Sequence, residues 1–240
     1  MRVLITGATG NIGTELVRQC LSSPSITHIT ILSRRAPSSL DLSDPKLTFL
    51  PHLDFQAYPP ALLDTLRSQQ VEACIWCLGA NSQRVSNRKE LETINKEYPV
   101  AAATAFKSLA PNFRFIYTSL PGADVSSWWA PTAVRGLAET ELLAIEGVDV
   151  FVVRPGAVEA GKRADPSISE RIGELMMPFF RICMPGFHVY GDVLGRGYIK
   201  LVTEGMEGVK SVLGKETGVL LPKEIKMMGM AEKTLSTVSN

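Results

Sequence analysis

Val3-Leu4-Ile5-Thr6-Gly7-Ala8-Thr9-Gly10-Asn11-Ile12-Gly13 is the stretch that decides the fold. A short apolar run leads into three glycines, and Asn11–Ser22 then places Ile12, Leu16, Val17 and Cys20 on one helical face. The order is strand, glycine turn, helix. In that setting Gly7 permits the tight turn, Gly10 lets backbone approach a pyrophosphate, and Gly13 allows close packing of helix on strand. The free N–H groups of the first helical turn then face an anion.

The same alternation continues outward. His28–Ser33, Leu47–Leu50, Ala73–Leu78, Phe113–Thr118 and Val150–Val153 read as short, apolar strands. Helical patterns at Pro60–Ser68, Arg88–Leu109 and Pro131–Glu146 separate the later ones. Repeated βαβ units predict an α/β fold with a doubly wound parallel sheet over about the first 155 residues. Beyond it, Ser167–Cys183 reads as an apolar helical segment interrupted by Pro178, with further structure at Val193–Glu204 and Lys223–Met228. Residues Thr234–Asn240 read as a frayed tail. The expectation is one domain over residues 1–240, with residues 157–230 forming a smaller substrate-binding lobe.

Composition excludes several classes. The 240 residues are 45% hydrophobic and 20% charged, and 25 basic residues face 24 acidic ones. That balance excludes disorder and offers no basic surface for nucleic acid. Three histidines without ligand spacing argue against zinc, and no metal is expected. Cys74 and Cys77 form a C-x-x-C within an apolar strand, where residues three apart point to opposite faces, so a redox or metal pair is disfavoured. Met1–Gly7 reads as a strand rather than a signal peptide, and no run approaches the ~18 apolar residues of a membrane span. A cytoplasmic protein is expected, monomeric or homodimeric, without a membrane partner.

The end of the second strand bears on the cofactor. Dinucleotide sites for NAD usually carry an acidic residue there, whereas this chain has Ser33-Arg34-Arg35. Paired guanidinium groups suit a 2′-phosphate, so NADP(H) is expected. Asp54 and Phe55, after the third strand, are placed to flank the adenine.

These residues resemble the atypical short-chain dehydrogenase/reductase superfamily, and especially its NmrA-like and Tat-interacting-protein-like branch. The resemblance rests on Gly7–Gly13, Asp54-Phe55, Cys77-Leu78-Gly79, Ile94-Asn95-Lys96-Glu97-Tyr98, Phe115–Ser119, Gly122-Ala123-Asp124, Arg154-Pro155-Gly156 and Lys223-Glu224-Ile225. It implies a Rossmann-type fold and a dinucleotide held by Gly7, Thr9, Gly10, Asn11, Ile12, Gly13, Arg34, Arg35, Asp54, Phe55, Leu78, Gly79, Arg135 and Pro155. It also implies a Ser–Tyr–Lys catalytic group. Here the Ser position aligns with Leu120, the Tyr position with Pro131 and the Lys position with Arg135. Pro131 has no acidic proton, and an arginine does not give up its proton in proteins.

Three readings follow. One is a non-redox enzyme that binds NADP(H) and carries out isomerisation, cyclisation or epoxide rearrangement of a hydrophobic small molecule. Another is an NADPH-dependent reductase of an enone, imine or ketone with other proton donors. The last is a regulator that senses NADP(H) without turnover. Ser119, Glu159 and Tyr190 are the candidate catalytic residues. Glu159 among apolar walls is expected to have a raised pKa suited to a general acid. Walls from Leu78–Arg84, Ser119–Trp129, Pro155–Lys162 and Met176–Tyr190 are expected, with Trp128, Trp129, Met176, Phe180 and His188 lining the substrate pocket.

Overall fold

The computed structural model describes residues 1–160 and 168–238, with backbone alone at 168–174 and 232–238. Its first half comprises β1 (Arg2–Thr6), α1 (Asn11–Ser22), β2 (His28–Ser33), β3 (Leu47–Pro51), α2 (Pro60–Ser68) and β4 (Ala73–Trp76). Then follow α3 (Arg88–Glu92), a π-helical turn (Thr93–Glu97), α4 (Tyr98–Phe106), β5 (Arg114–Thr118) and α5 (Ala130–Leu143). The remainder is β6 (Asp149–Val153), β7 (Ala157–Glu159), α6 (Ile168–Cys183), β8 (His188–Tyr190), α7 (Gly191–Glu204), α8 (Met206–Leu213), β9 (Val219–Leu220) and α9 (Pro222–Val238).

Seven of the described strands form one parallel sheet in the order β3-β2-β1-β4-β5-β6-β9. The strand order reverses beside β1, and ligands of such sheets bind at the carboxyl ends of the strands around that point. Side chains alternate across the sheet. Ile5, Ile75, Ile116 and Val153 share one buried cluster with Leu16, Val17, Leu194 and Tyr198 from α1 and α7. Leu4, Cys74, Trp76, Phe115 and Tyr117 share the other with Leu66, Phe106 and Leu142 from α2, α4 and α5. Cys74 thus faces one layer, while Cys77 packs against the other.

Residues 157–230 do more than add a lobe. β7 and β8 form a separate two-stranded parallel sheet, but β9 returns to pair with β6 at the edge of the main sheet. α7 lies directly on α1: a Cβ on Gly191 would stand 2.8 Å from Glu15 Cγ, and one on Gly195 would stand 2.7 Å from Gln19 Cβ.

Several boundaries differ from the sequence reading. The segment Arg88–Leu109 is not one uniform helix, because it passes through the π turn and ends at Phe106. Pro99 is the physical reason: it has no N–H to offer the carbonyl of Asn95, four residues earlier. β4 ends at Trp76, two residues sooner than expected. α6 passes through Pro178 without a break in the assigned helix, since a proline removes one ladder bond and the turns on either side carry the helix on. Ser167 lies outside the described residues. The tail expected to be frayed is helical as far as Val238, and Ser239 and Asn240 lie outside the described residues.

Candidate functional site

The glycine turn joins β1 to α1. Gly7 has φ +69°, and a Cβ there would come within 2.5 Å of the Cys77 carbonyl group. A Cβ on Gly13 would stand 2.2 Å from the Gly7 carbonyl oxygen. Gly10 N–H donates to the Gly7 carbonyl at 2.9 Å, and Thr14 Oγ1 donates to the Ala8 carbonyl at 2.8 Å, which fixes the loop. The first turn of α1 contains no acidic side chain, so its positive dipole end carries no competing anion.

Three cavities surround this turn. A small one, about 30 Å³, is lined by Gly7, Thr9, Leu32, Ser33, Arg34, Arg35, Phe55 and Leu78. Arg34 and Arg35 are both exposed at its mouth. Beside it, a space of about 480 Å³ shares Arg34, Phe55 and Leu78 and reaches Leu53, Ile94, Tyr98 and Lys89. On the other side of the turn, an open groove of about 350 Å³ is lined by Gly10, Asn11, Ile12, Gly13, Cys77, Gly79, Gly156, Val158 and Ala160. The residues present fit a dinucleotide: close backbone approach at the glycines, cationic groups at the end of β2, and apolar surface from Phe55 and Leu78 for a base.

Not every expected cofactor contact faces these spaces. Phe55 borders two of them, but its ring is largely buried, edge-on to Trp76 with ring centroids 5.9 Å apart. The Asp54 carboxylate turns to its own loop and accepts from Gln56 N–H at 2.9 Å. Pro155 is buried, and its neighbour Gly156 supplies the cavity wall. Leu53, Ile94, Tyr98 and Cys77 line these spaces without standing in any cofactor motif of the sequence. The alternation of Cys77 with Trp76 across the sheet edge was the available signal.

Behind Gly79 lies a buried polar group. Arg135, in the first turns of α5, donates through Nη1 to Tyr117 Oη at 2.8 Å and to the Thr118 carbonyl at 2.9 Å. Tyr117 Oη donates in turn to the Asn95 carbonyl at 2.7 Å. The Asn95 side chain closes the loop after β4: Oδ1 accepts from Ala80 N–H at 2.9 Å, and Nδ2 donates to the Ala80 carbonyl at 2.8 Å. Burial pushes the Tyr117 phenol up, against the lowering effect of the Arg135 charge.

A second chain of hydroxyls starts at the cavity wall. Cys77 Sγ lies 3.2 Å from Thr118 Oγ1, which lies 2.9 Å from Tyr198 Oη. Burial pushes the Cys77 thiol up to about 12, so it stays protonated at neutral pH. Tyr198 is fully buried, and burial also raises its phenol well above the usual range.

The three expected catalytic residues divide into two places. Ser119 is buried and its hydroxyl donates to the Glu139 carboxylate. Arg154 grips the same carboxylate through Nε and Nη2, with Nε at 3.0 Å from Oε1. Ser119 is therefore held in a structural triad under α5. Glu159 and Tyr190 are register partners on β7 and β8. Glu159 Oε2 lies 2.9 Å from His188 Nε2, and Oε1 accepts from Arg181 Nη2 at 2.6 Å. His188 is buried and stands edge-on to Tyr190, ring centroids 4.7 Å apart.

The raised pKa expected at Glu159 is corrected by these contacts. Partial burial pushes it up, but the hydrogen bonds from His188 and Arg181 and the Arg181 charge together hold it below the usual glutamate value. An ionised, ion-paired carboxylate is a poor general acid. The expected pocket walls also change. Trp128 is 94% exposed and Trp129 50%, because the loop before α5 turns them to solvent. Met176 is exposed on α6, and Phe180 packs between Phe179 and Phe187. None of Trp128, Trp129, Met176, Phe180 and His188 is among the described residues lining the three spaces. Of the expected wall Pro155–Lys162, Gly161 and Lys162 lie outside the described residues.

Fold and turn together define a Rossmann-type nucleotide-binding α/β architecture. Residues 3–120 match the model of the NAD dependent epimerase/dehydratase family. Among curated proteins, the chain is 24% identical over 176 residues to "Protein FMP52, mitochondrial" of Candida albicans, covering 72% of this chain and 74% of that protein. It is 24% identical over 217 residues to "Protein fmp52, mitochondrial" of Emericella nidulans, covering 86% and 89%. Among solved structures, DesIV of Streptomyces venezuelae, a dTDP-glucose 4,6-dehydratase with NAD bound, superposes with a TM-score of 0.65 at 16% identity, covering 98% of this chain and 81% of that one. The names of the curated relatives overturn the expectation of a cytoplasmic protein, which rested on reading Met1–Gly7 as a strand and on finding no long apolar run. Among the described residues, no helix is long and apolar enough to cross a membrane.

Proposed function

We propose that the chain is an NADP(H)-binding enzyme of the epimerase/dehydratase kind, related to the NmrA-like branch of the short-chain dehydrogenases, that rearranges an apolar small molecule without net redox change. Mitochondria, as in the names of its relatives, are the compartment we assign. The observation that carries this reading is a contrast between two adjoining spaces. The pocket at the end of β2 has two arginines for a phosphate. The cavity across the turn has, among its described lining, no phenol, amine, imidazole or carboxylate. Leu120, Pro131 and Arg135 occupy the positions aligned with the Ser–Tyr–Lys group.

A bound nicotinamide dinucleotide supplies hydride chemistry in this fold. The chain's own residues supply binding and shape. Gly7, Gly10 and Gly13 admit the pyrophosphate to the N-terminus of α1. Arg34 and Arg35 select the 2′-phosphate by charge-assisted bonds. Ile12, Val158 and Ala160 offer apolar walls, and the protonated Cys77 thiol is the weak acid among the described lining.

A second reading, the NADP(H)-sensing regulator, is favoured by one specific observation. Leu175, Phe179 and Ile182 share a face of α6 and are 80%, 48% and 78% exposed. Such an exposed apolar face is what a partner-binding protein presents.

The test is a titration with NADPH, NADP+ and NADH followed by tryptophan fluorescence, then incubation with hydrophobic enones, ketones and epoxides. NADPH binding at least about tenfold tighter than NADH is expected, the equivalent of one charge-assisted contact. Product of unchanged mass with no nicotinamide oxidation supports rearrangement. Oxidation matched by a gain of two hydrogens overturns it in favour of a reductase. Tight NADPH binding with no product from any candidate favours the regulator.

A further inference from the structure

The two spaces on the β2 side of the glycine turn meet at three shared residues, Arg34, Phe55 and Leu78. The smaller holds about 30 Å³, room for about one water molecule. The larger, about 480 Å³, is therefore the one of the pair with room for a planar base. Phe55 and Leu78 give it apolar surface at the junction, and Arg34 stands at that junction beside them.

The larger space has a second cation. Lys89 lines it from α3, an element separate from the strand end that carries Arg34. Both side chains are exposed, and among the described residues neither has an ion pair. Other basic residues around Lys89 are committed: Arg88 pairs with Glu92 at 2.9 Å, and Lys96 with Glu141 at 3.2 Å. The turn that presents Lys89 is itself fixed. Asn87 Oδ1 accepts from Glu90 N–H at 2.9 Å, and Glu90 Oε2 accepts from Ser86 N–H at 2.7 Å. Glu90 also lines this space, and a carboxylate on the wall opposes an anion unless a cation stands with it.

We infer that Lys89 is a third cation for the 2′-phosphate of NADP(H), reaching it from α3 while Arg34 and Arg35 hold it from the end of β2. This assignment rests on the proposed NADP(H) reading and adds a specificity-determining residue to it. A base in the larger space brings its ribose to the junction, between Arg34 and Lys89. The chemistry divides the work. A guanidinium fork pairs with two oxygens of a phosphate, and an ammonium on a flexible stem is a point charge for another. A phosphate monoester carries about −1.5 to −2 charges at neutral pH, more than one arginine neutralises. Lys89 also offsets Glu90, which would otherwise face that charge alone. The reading of Ser33-Arg34-Arg35 does not reach Lys89, because it enters from beyond β4.

The experiment titrates the full chain and its Lys89 variants with NADPH and NADH, which differ only in the 2′-phosphate, by fluorescence. Lys89→Gln is expected to lose at least about threefold of the NADPH preference, as one exposed charge contact provides. The loss is expected wholly in NADPH affinity. Unchanged NADH affinity also shows that the variant is folded. Lys89→Arg, which keeps the charge, is expected to hold the preference within about twofold. A full preference in Lys89→Gln that is abolished by Arg34→Ser with Arg35→Ser overturns this inference alone and leaves the NADP(H) reading standing. Equal weakening of both dinucleotides overturns it as well, because Lys89 then meets the base or the common phosphates. So does a loss in Lys89→Arg as large as in Lys89→Gln, since charge is then not what binds. An unsubstituted chain with no preference for NADPH overturns this inference and the NADP(H) reading together.

Discussion

Tyr117 donates its hydroxyl to the carbonyl of Asn95 at 2.7 Å, the acceptor that Pro99 cannot serve. One proline in a helix thus leaves an orphan acceptor, and a phenol from the neighbouring strand meets it. The same hydroxyl accepts from Arg135 at 2.8 Å, so the irregular turn of the helix and the guanidinium are joined through a single oxygen. Short π-helical turns occur often at functional sites, and this one places Asn95 to hold the loop after β4.

Tyr117→Phe removes a donor and an acceptor from buried partners. It is expected to lower stability by about 1–3 kcal/mol, seen as a fall in the urea midpoint. In a Pro99→Ala background residue 99 gains an N–H for Asn95, so the same substitution is expected to cost less. Additive losses in the double-substitution cycle are the result that contradicts this link.

Arg34→Ser with Arg35→Ser tests the cofactor preference. NADPH binding is expected to weaken about ten- to hundredfold, one or two charge-assisted contacts, while NADH binding changes little. The NADPH affinity of the unsubstituted chain is expected to fall with added salt, because both side chains are exposed. An equal loss for both dinucleotides contradicts the 2′-phosphate assignment.

Glu159 has a folded-state pKa below its ordinary value, through His188 and Arg181 acting against the upward push of burial. The folded state then binds its proton less readily than the unfolded chain. Stability from this group is complete above the ordinary glutamate pKa and is lost as pH falls through the lower folded value. Glu159→Gln is expected to be less stable than the unsubstituted chain at neutral pH and to converge with it in acid. Thermal melts across that range check it, and a gap that widens in acid contradicts the sign.

The four cysteines are expected to react in a fixed order. Cys183 is exposed, while Cys20 and Cys74 are buried and burial raises both thiols, that of Cys20 to about 12. Cys77 borders a cavity but is held at about 12 by burial. Since the thiolate is the nucleophile, brief alkylation near pH 8 should label Cys183 first and leave the others until denaturant is added. Peptide mass mapping reads this directly, and early labelling of Cys77 contradicts its raised pKa.

Local chemistry made much of the fold legible. The glycine turn, the alternation of apolar strands with helices and the arginines after β2 are short-range signals, and each lies where its spacing places it. What escaped the sequence was long-range. Nothing near Glu159 announces Arg181 or His188, which lie 22 and 29 residues further on. Ser119 reads as a free hydroxyl until α5 brings Glu139 over it. The buried, unpartnered Nε of Arg135 becomes visible only when Tyr117 and Thr118 are seen to use Nη1. Pro99 was a local signal for the broken helix, outweighed by the apolar run around it. β9, two residues long, is too short for any periodicity to mark.

The close seating of α7 on α1 bears on modularity. The glycine turn and the strands that carry it look like a portable cassette, yet Gly191 and Gly195 lie against Glu15 and Gln19 on the helix that opens from that turn. Grafting a different C-terminal half onto residues 1–155 would succeed only if the donor brought two small residues four apart in the same register. Without them the incoming helix would stand off α1. The Gly191–Gly195 pair is therefore a compatibility key between the two halves, and recombination among relatives is constrained at the seam of α1 and α7.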